Sequence, residues 1–456
     1  MTDKNYPEIL KQAFDRVLMS KFGDCVPPSP LITPFGIKPL DALLGGGLTS
    51  SAPIVFSSTP ETGKSTLALQ FTAMFQQAYK NSVCIYLNIE EAAGDIGTGA
   101  NKSIGLEDRI ITFGIDTDRF LHKPVLLNVK EMFELINDLI LIKPQMEQKT
   151  GESYQILFIL DSIAVVCSSK DADAADPNEV IGFRARELTF SLAKYKKVIS
   201  MNQISFIMID QVRSNISSAL QTPWQKAANE TTVGSFGNFQ AATNINSLNH
   251  NVRQWLWLSK GAVLKPTDPM GVDGWLINIF TEKNKLAPSK YSIPVIFDKK
   301  FGLIRFWSEY YFLSEKTKTE RKYWPKEKKL PYPLSITTSG NSRILEVMDP
   351  STGSILHRSD PFMERIALEK YNSDENFRHW FDKGVDIAVD QRIQVSLFRG
   401  NPIANYSTVE TTDNLIDTVP VVDNVAIVEE LVEQPSVEFA PSESVEFMPQ
   451  PAGDID

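Results

Sequence analysis

One stretch, Ser58-Thr-Pro-Glu-Thr-Gly63-Lys64-Ser65-Thr66, restricts the possible folds of this chain more than any other. It follows the apolar run Pro53–Phe56 and opens a segment of helical spacing, so it reads as strand, tight loop and helix. A loop of this kind suits phosphate binding. Its backbone N–H groups and the following helix N-terminus face phosphate oxygens, and the lysine reaches the terminal phosphates. The expected nucleotide-binding residues are therefore Thr59, Pro60, Glu61, Thr62, Gly63, Lys64, Ser65 and Thr66. ATP and Mg²⁺ are the expected cofactors, with Ser65 giving a hydroxyl to the cation. Ser58 departs from the pattern, which begins with glycine.

Between about 36 and 310, short apolar runs alternate with helical stretches. The runs are Ile54–Phe56, Val83–Ile89, Ile156–Leu160, Ile204–Ile209, Trp255–Leu258, Trp275–Phe280 and Ile293–Phe297. Helical spacing predicts helices at 64–80, 128–142 and 178–197. Apolar strands joined by helices predict an α/β fold, a mostly parallel twisted sheet flanked by helices. The later strands lie closer together in sequence, which predicts an antiparallel extension. The implied domains are an N-terminal helix and linker (1–35), a P-loop core (36–308), a small C-terminal α+β domain (309–405) and a disordered tail (406–456).

In an open α/β sheet, ligands bind at the carboxyl ends of the strands. Three further strands end there in suitable side chains. Ile156–Leu160 leads to Asp161, a carboxylate for the Mg²⁺ shell. Val83–Ile89 leads to Glu90, placed to orient or deprotonate water. Ile204–Ile209 leads to Asp210 and Gln211, whose amide suits a γ-phosphate. A lone strand-end carboxylate is usually a solvated surface residue. Three behind a phosphate loop favour NTP hydrolysis, without saying what it drives.

Composition removes other classes. No run of about 18 apolar residues exists and the N-terminus has no apolar signal core, so a membrane span and secretion are not expected. Cys25, Cys84 and Cys167 lie far apart and the four histidines are scattered, which gives no zinc spacing and no disulfide framework. A reduced, cytoplasmic protein is expected. The net charge of −10 is localised: Tyr406–Asp456 holds 12 acidic residues and no Lys or Arg, leaving 46 basic against 44 acidic residues in the rest. That tail is a solubilising segment or a competitor with polyanions for a basic surface. Lys316–Lys329 holds seven basic residues with Tyr323 and Trp324 between them, and reads as a duplex-capturing stretch or a solvated loop.

Together these residues resemble the RecA recombinase family, including its phage UvsX-like members. Gln12–Gly23 resembles the family's N-terminal polymerisation helix, and Gly36–Asp41 with Leu44–Leu48 resembles its lead-in to the phosphate loop. Leu160-Asp161-Ser162 and Asp210-Gln211-Val212-Arg213 follow in order, and Lys283-Asn284-Lys285-Leu286-Ala287-Pro288 resembles its most discriminating element.

The resemblance implies Glu90 as the catalytic carboxylate acting on water, Asp161 as a Mg²⁺ residue standing behind the cation's direct ligands and Gln211 as γ-phosphate sensor. It implies that Lys283 and Lys285 reach the nucleotide of a neighbouring subunit. It places DNA loops at about 168–183 and 212–240, with Arg213, Lys226, Phe236 and Phe239 as contacts. Cations with aromatic wedges suit a single strand bound without sequence preference. The first loop is acidic at Asp171, Asp173 and Asp176.

The implied partners are single- and double-stranded DNA, further copies in a helical filament, and a single-strand-binding protein or mediator. The implied setting is a bacterial cell, the gene bacterial or phage-encoded. The implied function is ATP-dependent homologous pairing and strand exchange in recombination and repair. A hexameric helicase or translocase on the same core, and a weakly ATP-binding mediator, stay open as alternatives.

Overall fold

The computed structural model describes residues 26–89, 105–125, 127–163, 166, 177–211, 250–314, 333–336 and 342–394. The expected N-terminal helix, Glu90, most of the first DNA loop, all of the second, Lys316–Lys329 and the acidic tail lie outside these residues.

Nine strands form the central sheet. In chain order they are β3 (Pro53–Ser58), β4 (Ser82–Asn88), β5 (Phe120–Pro124), β6 (Gln155–Asp161), β7 (Ser205–Gln211), β8 (Gln254–Leu264), β9 (Gly274–Asn284), β10 (Ser292–Asp298) and β11 (Gly302–Leu303). A small ladder of β1 (Ile32–Thr33) and β2 (Leu48–Thr49) precedes them. Their order across the sheet is β11-β10-β9-β8-β3-β7-β6-β4-β5. From β8 to β5 every pairing is parallel, and β8 to β11 form the expected antiparallel extension.

Period-two geometry explains why the inner strands are apolar throughout. On β3, Ile54 and Phe56 enter one hydrophobic cluster while Val55 enters the other. Leu157 and Ile159 on β6 oppose Ile156, Phe158 and Leu160 in the same way, as do Ile207 and Ile209 on β7 against Phe206 and Met208.

One face is covered by α1 (Lys38–Leu44) and α2 (Lys64–Ala78), which buries Leu67, Phe71 and Phe75 at helical spacing. The short α3 (Leu106–Phe113) packs beside α2. The opposite face is covered by α4 (Val129–Thr150) and α5 (Pro177–Met201). A capping box starts α4: Glu131 N donates to Asn128 Oδ1 (3.0 Å), and Asn128 N donates to Glu131 Oε2 (2.9 Å). The helix continues past Pro144, whereas the apolar pattern predicts an end at 142. Likewise α5 begins at Pro177, so residues 177–183 are helical rather than loop.

Beyond the sheet come α6 (Arg305–Leu313), the antiparallel strands β12 (Leu334–Ile336), β13 (Arg343–Met348) and β14 (Ile355–Arg358), then α7 (Ala367–Ser373) and α8 (Glu375–Val389). The expected domain boundary at 308/309 falls inside α6. Phe306, Tyr310, Phe377 and Phe381 share one buried cluster with Phe35 and Leu40 of the core.

Polar groups bind the same junction. Lys38 N donates to Glu309 Oε1 (3.1 Å), and the Lys38 ammonium pairs with Asp386 (2.7 Å). Asp41 accepts from Phe35 N (2.6 Å) and Gly36 N (3.0 Å). Burial outweighs those two bonds and pushes the Asp41 carboxyl up to about 8.

Candidate nucleotide site at the carboxyl edge of the sheet

The expected loop leaves the end of β3 and enters α2, as its spacing requires. Gly63 caps the helix with φ 109°, in the left-handed region, and offers no side-chain cap. The first N–H groups of α2 therefore have no side-chain acceptor at Gly63. A Cβ on Gly63 would meet Phe297 Cζ at 2.6 Å, so conformation and space both require glycine here. Phe297 stacks on Trp275 (centroids 5.0 Å apart), whose indole N–H donates to Thr62 O (3.3 Å). Strands β9 and β10 thus brace the loop from below.

Lys64 is buried against the loop it serves. Its ammonium donates to Ser58 O (3.2 Å), Ser58 Oγ (2.9 Å) and Thr59 O (3.0 Å). Ser58, in place of the usual glycine, donates its own proton to Thr59 O (2.8 Å). Thr62 is buried and donates to Thr59 O (2.9 Å), while Thr59, Pro60 and Glu61 are exposed at the rim. Thr66 packs inside the first turn of α2.

Ser65 meets Asp161, 96 residues away, through a hydroxyl-to-carboxylate bond of 2.5 Å. The same Oδ2 accepts the Tyr86 phenol at 2.5 Å. Burial, followed by the charge of Asp161, holds the Tyr86 hydroxyl well above its usual pKa, so it stays protonated and able to donate to Asp161. Arg109 lies within electrostatic reach of both groups. Its Nε is shut off from solvent and has no hydrogen-bond partner among the described residues, and burial draws its guanidinium below the usual value against the pull of Tyr86 and Asp161.

This donor set fits a nucleotide with Mg²⁺. A hydroxyl and a carboxylate, both hard oxygen donors, sit together at the base of a helix N-terminus, with an ammonium and a glycine-shaped recess beside them. Ser65 and Asp161 would hold the cation, which supplies charge neutralisation of the phosphates. Gly63, Lys64 and the start of α2 would hold the phosphates.

The remaining expected residues divide by position. Gln211 ends β7 and pairs in register with Ser58, which puts it next to the loop. Its neighbour Asp210 turns inward, accepting from Ser57 Oγ (3.4 Å), which in turn accepts the Trp255 indole N–H (2.8 Å).

Lys283 and Lys285 lie elsewhere. Lys285 N donates to Arg253 O, and Arg253 N donates to Pro53 O, placing this end of β9 at the start of β3. The length of β3, roughly 17 Å at about 3.3 Å per residue, lies between that level and the loop. Burial first, then the nearby charges of Lys285 and Lys196, hold the Lys283 ammonium below its usual value. Glu90, Arg213, Lys226, Phe236 and Phe239 lie outside the described residues.

Sequence reading missed Tyr86, Arg109 and the Trp275–Phe297 brace. Each looks like ordinary strand or helix packing when read along the chain. Only the parallel register, which sets Asn88 beside Asp161, reveals that Tyr86 faces the site.

Known proteins add a consistent likeness. A family model for the KaiC ATPase matches residues 33–219, less than half of the chain. RecA of Sulfurimonas denitrificans is 25% identical over 211 residues, covering 45% of this chain and 53% of that protein. RecA of Geobacter metallireducens is 24% identical over 282 residues, covering 62% and 70%. A DNA repair protein RadA of Mycolicibacterium smegmatis is 34% identical over 77 residues, covering 17% of this chain and 16% of that protein. The chain thus spans about half the length of the first of these relatives. The mostly parallel sheet flanked by helices is consistent with a RecA-like P-loop ATPase core, and the chain is similar, at low identity, to RecA proteins.

Proposed function

We propose that this protein is an ATP-dependent recombinase that forms filaments on single-stranded DNA and promotes homologous pairing and strand exchange. The observation that carries the reading is the division of the expected site between two ends of the sheet. The loop with Ser65 and Asp161 occupies one end, while Lys283 and Lys285 stand toward the other. Cations set away from their own nucleotide suit a neighbour's nucleotide better. A head-to-tail contact of that kind generates an open helix or a closed ring. Lys283 and Lys285 then act as a trans-acting charge, in the manner of an arginine finger, and make hydrolysis depend on assembly.

In this reading Glu90 takes the proton of the attacking water. Lys64 and Ser65 hold the phosphates and Mg²⁺, and Asp161 completes the cation's shell. Gln211, beside Ser58, senses the terminal phosphate. The chain continues from Gln211 directly into the segment bearing Arg213, Lys226, Phe236 and Phe239, so a change at Gln211 is passed to the proposed DNA loop. The names of the relatives, RecA and a DNA repair protein, support a role in DNA repair. A mediator or single-strand-binding protein would load the filament.

ATP hydrolysis with and without single-stranded DNA, followed by electron microscopy of the same mixtures, tests this. Stimulated hydrolysis with helical filaments is expected. Closed rings would favour a helicase or translocase, and no hydrolysis would favour a mediator. Lys64→Ala should abolish turnover. The double change Lys283→Ala with Lys285→Ala should keep nucleotide binding and lose DNA stimulation, and surviving stimulation would overturn the trans role.

A further inference from the structure

Tyr86 stands on β4 with its ring enclosed between Phe120 (centroids 6.2 Å apart) and His122 (5.8 Å). The residue is 2% exposed, so it has no route to a nucleotide's phosphates or base. Phenylalanine would fill the same space. What distinguishes tyrosine is the hydroxyl, and its bond of 2.5 Å goes to Asp161 Oδ2, the oxygen that also accepts from Ser65.

The terminal torsion of an aspartate is broad and holds its carboxylate plane only weakly. Two donors on one oxygen, one from β4 and one from α2, fix that plane from both sides. The Ser65 oxygen keeps lone pairs for a cation while its O–H donates to Asp161. The Tyr86 bond comes from a rigid buried ring, so it does not depend on what the phosphate loop is doing.

We propose that Tyr86 is a positioning residue for the divalent cation: through its hydroxyl it fixes the Asp161 carboxylate in the orientation from which carboxylate and Ser65 receive the metal together. The proposal rests on the loop being a nucleotide–Mg²⁺ site. A group that orients a metal-shell residue is expected to change metal affinity by about tenfold or more when lost. The affinity of the protein for nucleotide without metal should stay unchanged.

The test uses the full chain and its Tyr86→Phe variant. ADP binding is titrated in EDTA and over a series of Mg²⁺ concentrations, and Mn²⁺ binding in the presence of ADP is followed by electron paramagnetic resonance. The expected result is that Tyr86→Phe raises the Mg²⁺ concentration for half-maximal tightening by about tenfold. It weakens Mn²⁺ binding in parallel and leaves ADP affinity in EDTA equal to wild type. An unchanged Mg²⁺ midpoint alongside normal wild-type linkage would overturn the role of Tyr86. Equal loss of affinity with and without metal would also overturn it, because that marks a packing lesion. A wild-type protein whose ADP affinity ignores Mg²⁺ would instead sink the nucleotide–Mg²⁺ reading beneath it.

Discussion

Ser58 stands where the phosphate-loop pattern has glycine, and the strand, loop and helix still form around it. Its hydroxyl gives Lys64 a third acceptor beside the carbonyls of Ser58 and Thr59. A phosphate must draw the ammonium away from all three. A hydrogen bond from a charged group contributes about 1.5–3 kcal/mol net, so removing the hydroxyl with Ser58→Gly should tighten nucleotide binding by roughly ten- to a hundredfold. Calorimetric titration with ADP and Mg²⁺ measures this, and weaker binding would mean that the hydroxyl itself meets the phosphate. The placement of Gly63, Lys64 and Ser65 between β3 and α2 was legible from sequence because the pattern is local. Tyr86 and Arg109 were not, because Tyr86 bonds Asp161 across strands while Arg109 comes within its electrostatic reach from another layer, and a tyrosine within Cys84-Ile85-Tyr86-Leu87 reads as core.

At the scale of elements, the seven expected strands are all present, since continuous apolar runs buried on two faces announce themselves. β5 escaped notice because it is an edge strand whose Phe120 is buried while Lys123 and Pro124 are exposed. Helix α4 was read short for a different reason. Its buried stripe ends at Ile140, and Pro144 breaks the pattern, yet the Lys143–Glu147 pair (2.7 Å) and the cap at Gly151 carry the helix on to Thr150. A proline inside a helix costs about 3 kcal/mol relative to alanine. Part of that is offset by its stiffening of the unfolded chain. Replacing the exposed Pro144 with alanine should therefore raise stability by about 1–3 kcal/mol, measured as the shift of the urea unfolding curve. No gain would show that the last two turns do not hold the rest.

For the whole molecule, the junction of α1, α6 and α8 sets how stability answers to pH. Burial raises both Asp41, to about 8, and Glu309 above their ordinary values. The folded state therefore binds protons more tightly than the unfolded chain, whose Asp41 titrates near 3.8. Stability from such groups is complete below the unfolded value and is lost as pH rises through the folded one. The urea midpoint should fall between about pH 5 and pH 8.5, and Asp41→Asn should flatten that slope. A midpoint that rises with pH in this window would refute the assignment. The junction itself was invisible in the sequence, which divided the chain at 308/309, because Lys38 and Asp386 stand 348 positions apart.

Under the proposed trans contact, the distance between the phosphate loop and the Lys283–Lys285 end of β9 also governs how complete sites are counted. If each subunit lends its lysines to the next, a linear assembly has one fewer complete site than it has subunits. Its two tips are chemically unlike: one exposes a nucleotide without foreign lysines, the other exposes lysines without a nucleotide. Specific activity then climbs with assembly length and levels off, and short assemblies fall below the plateau by the fraction their tips represent. Polarity, in this protein, is already present in the single chain.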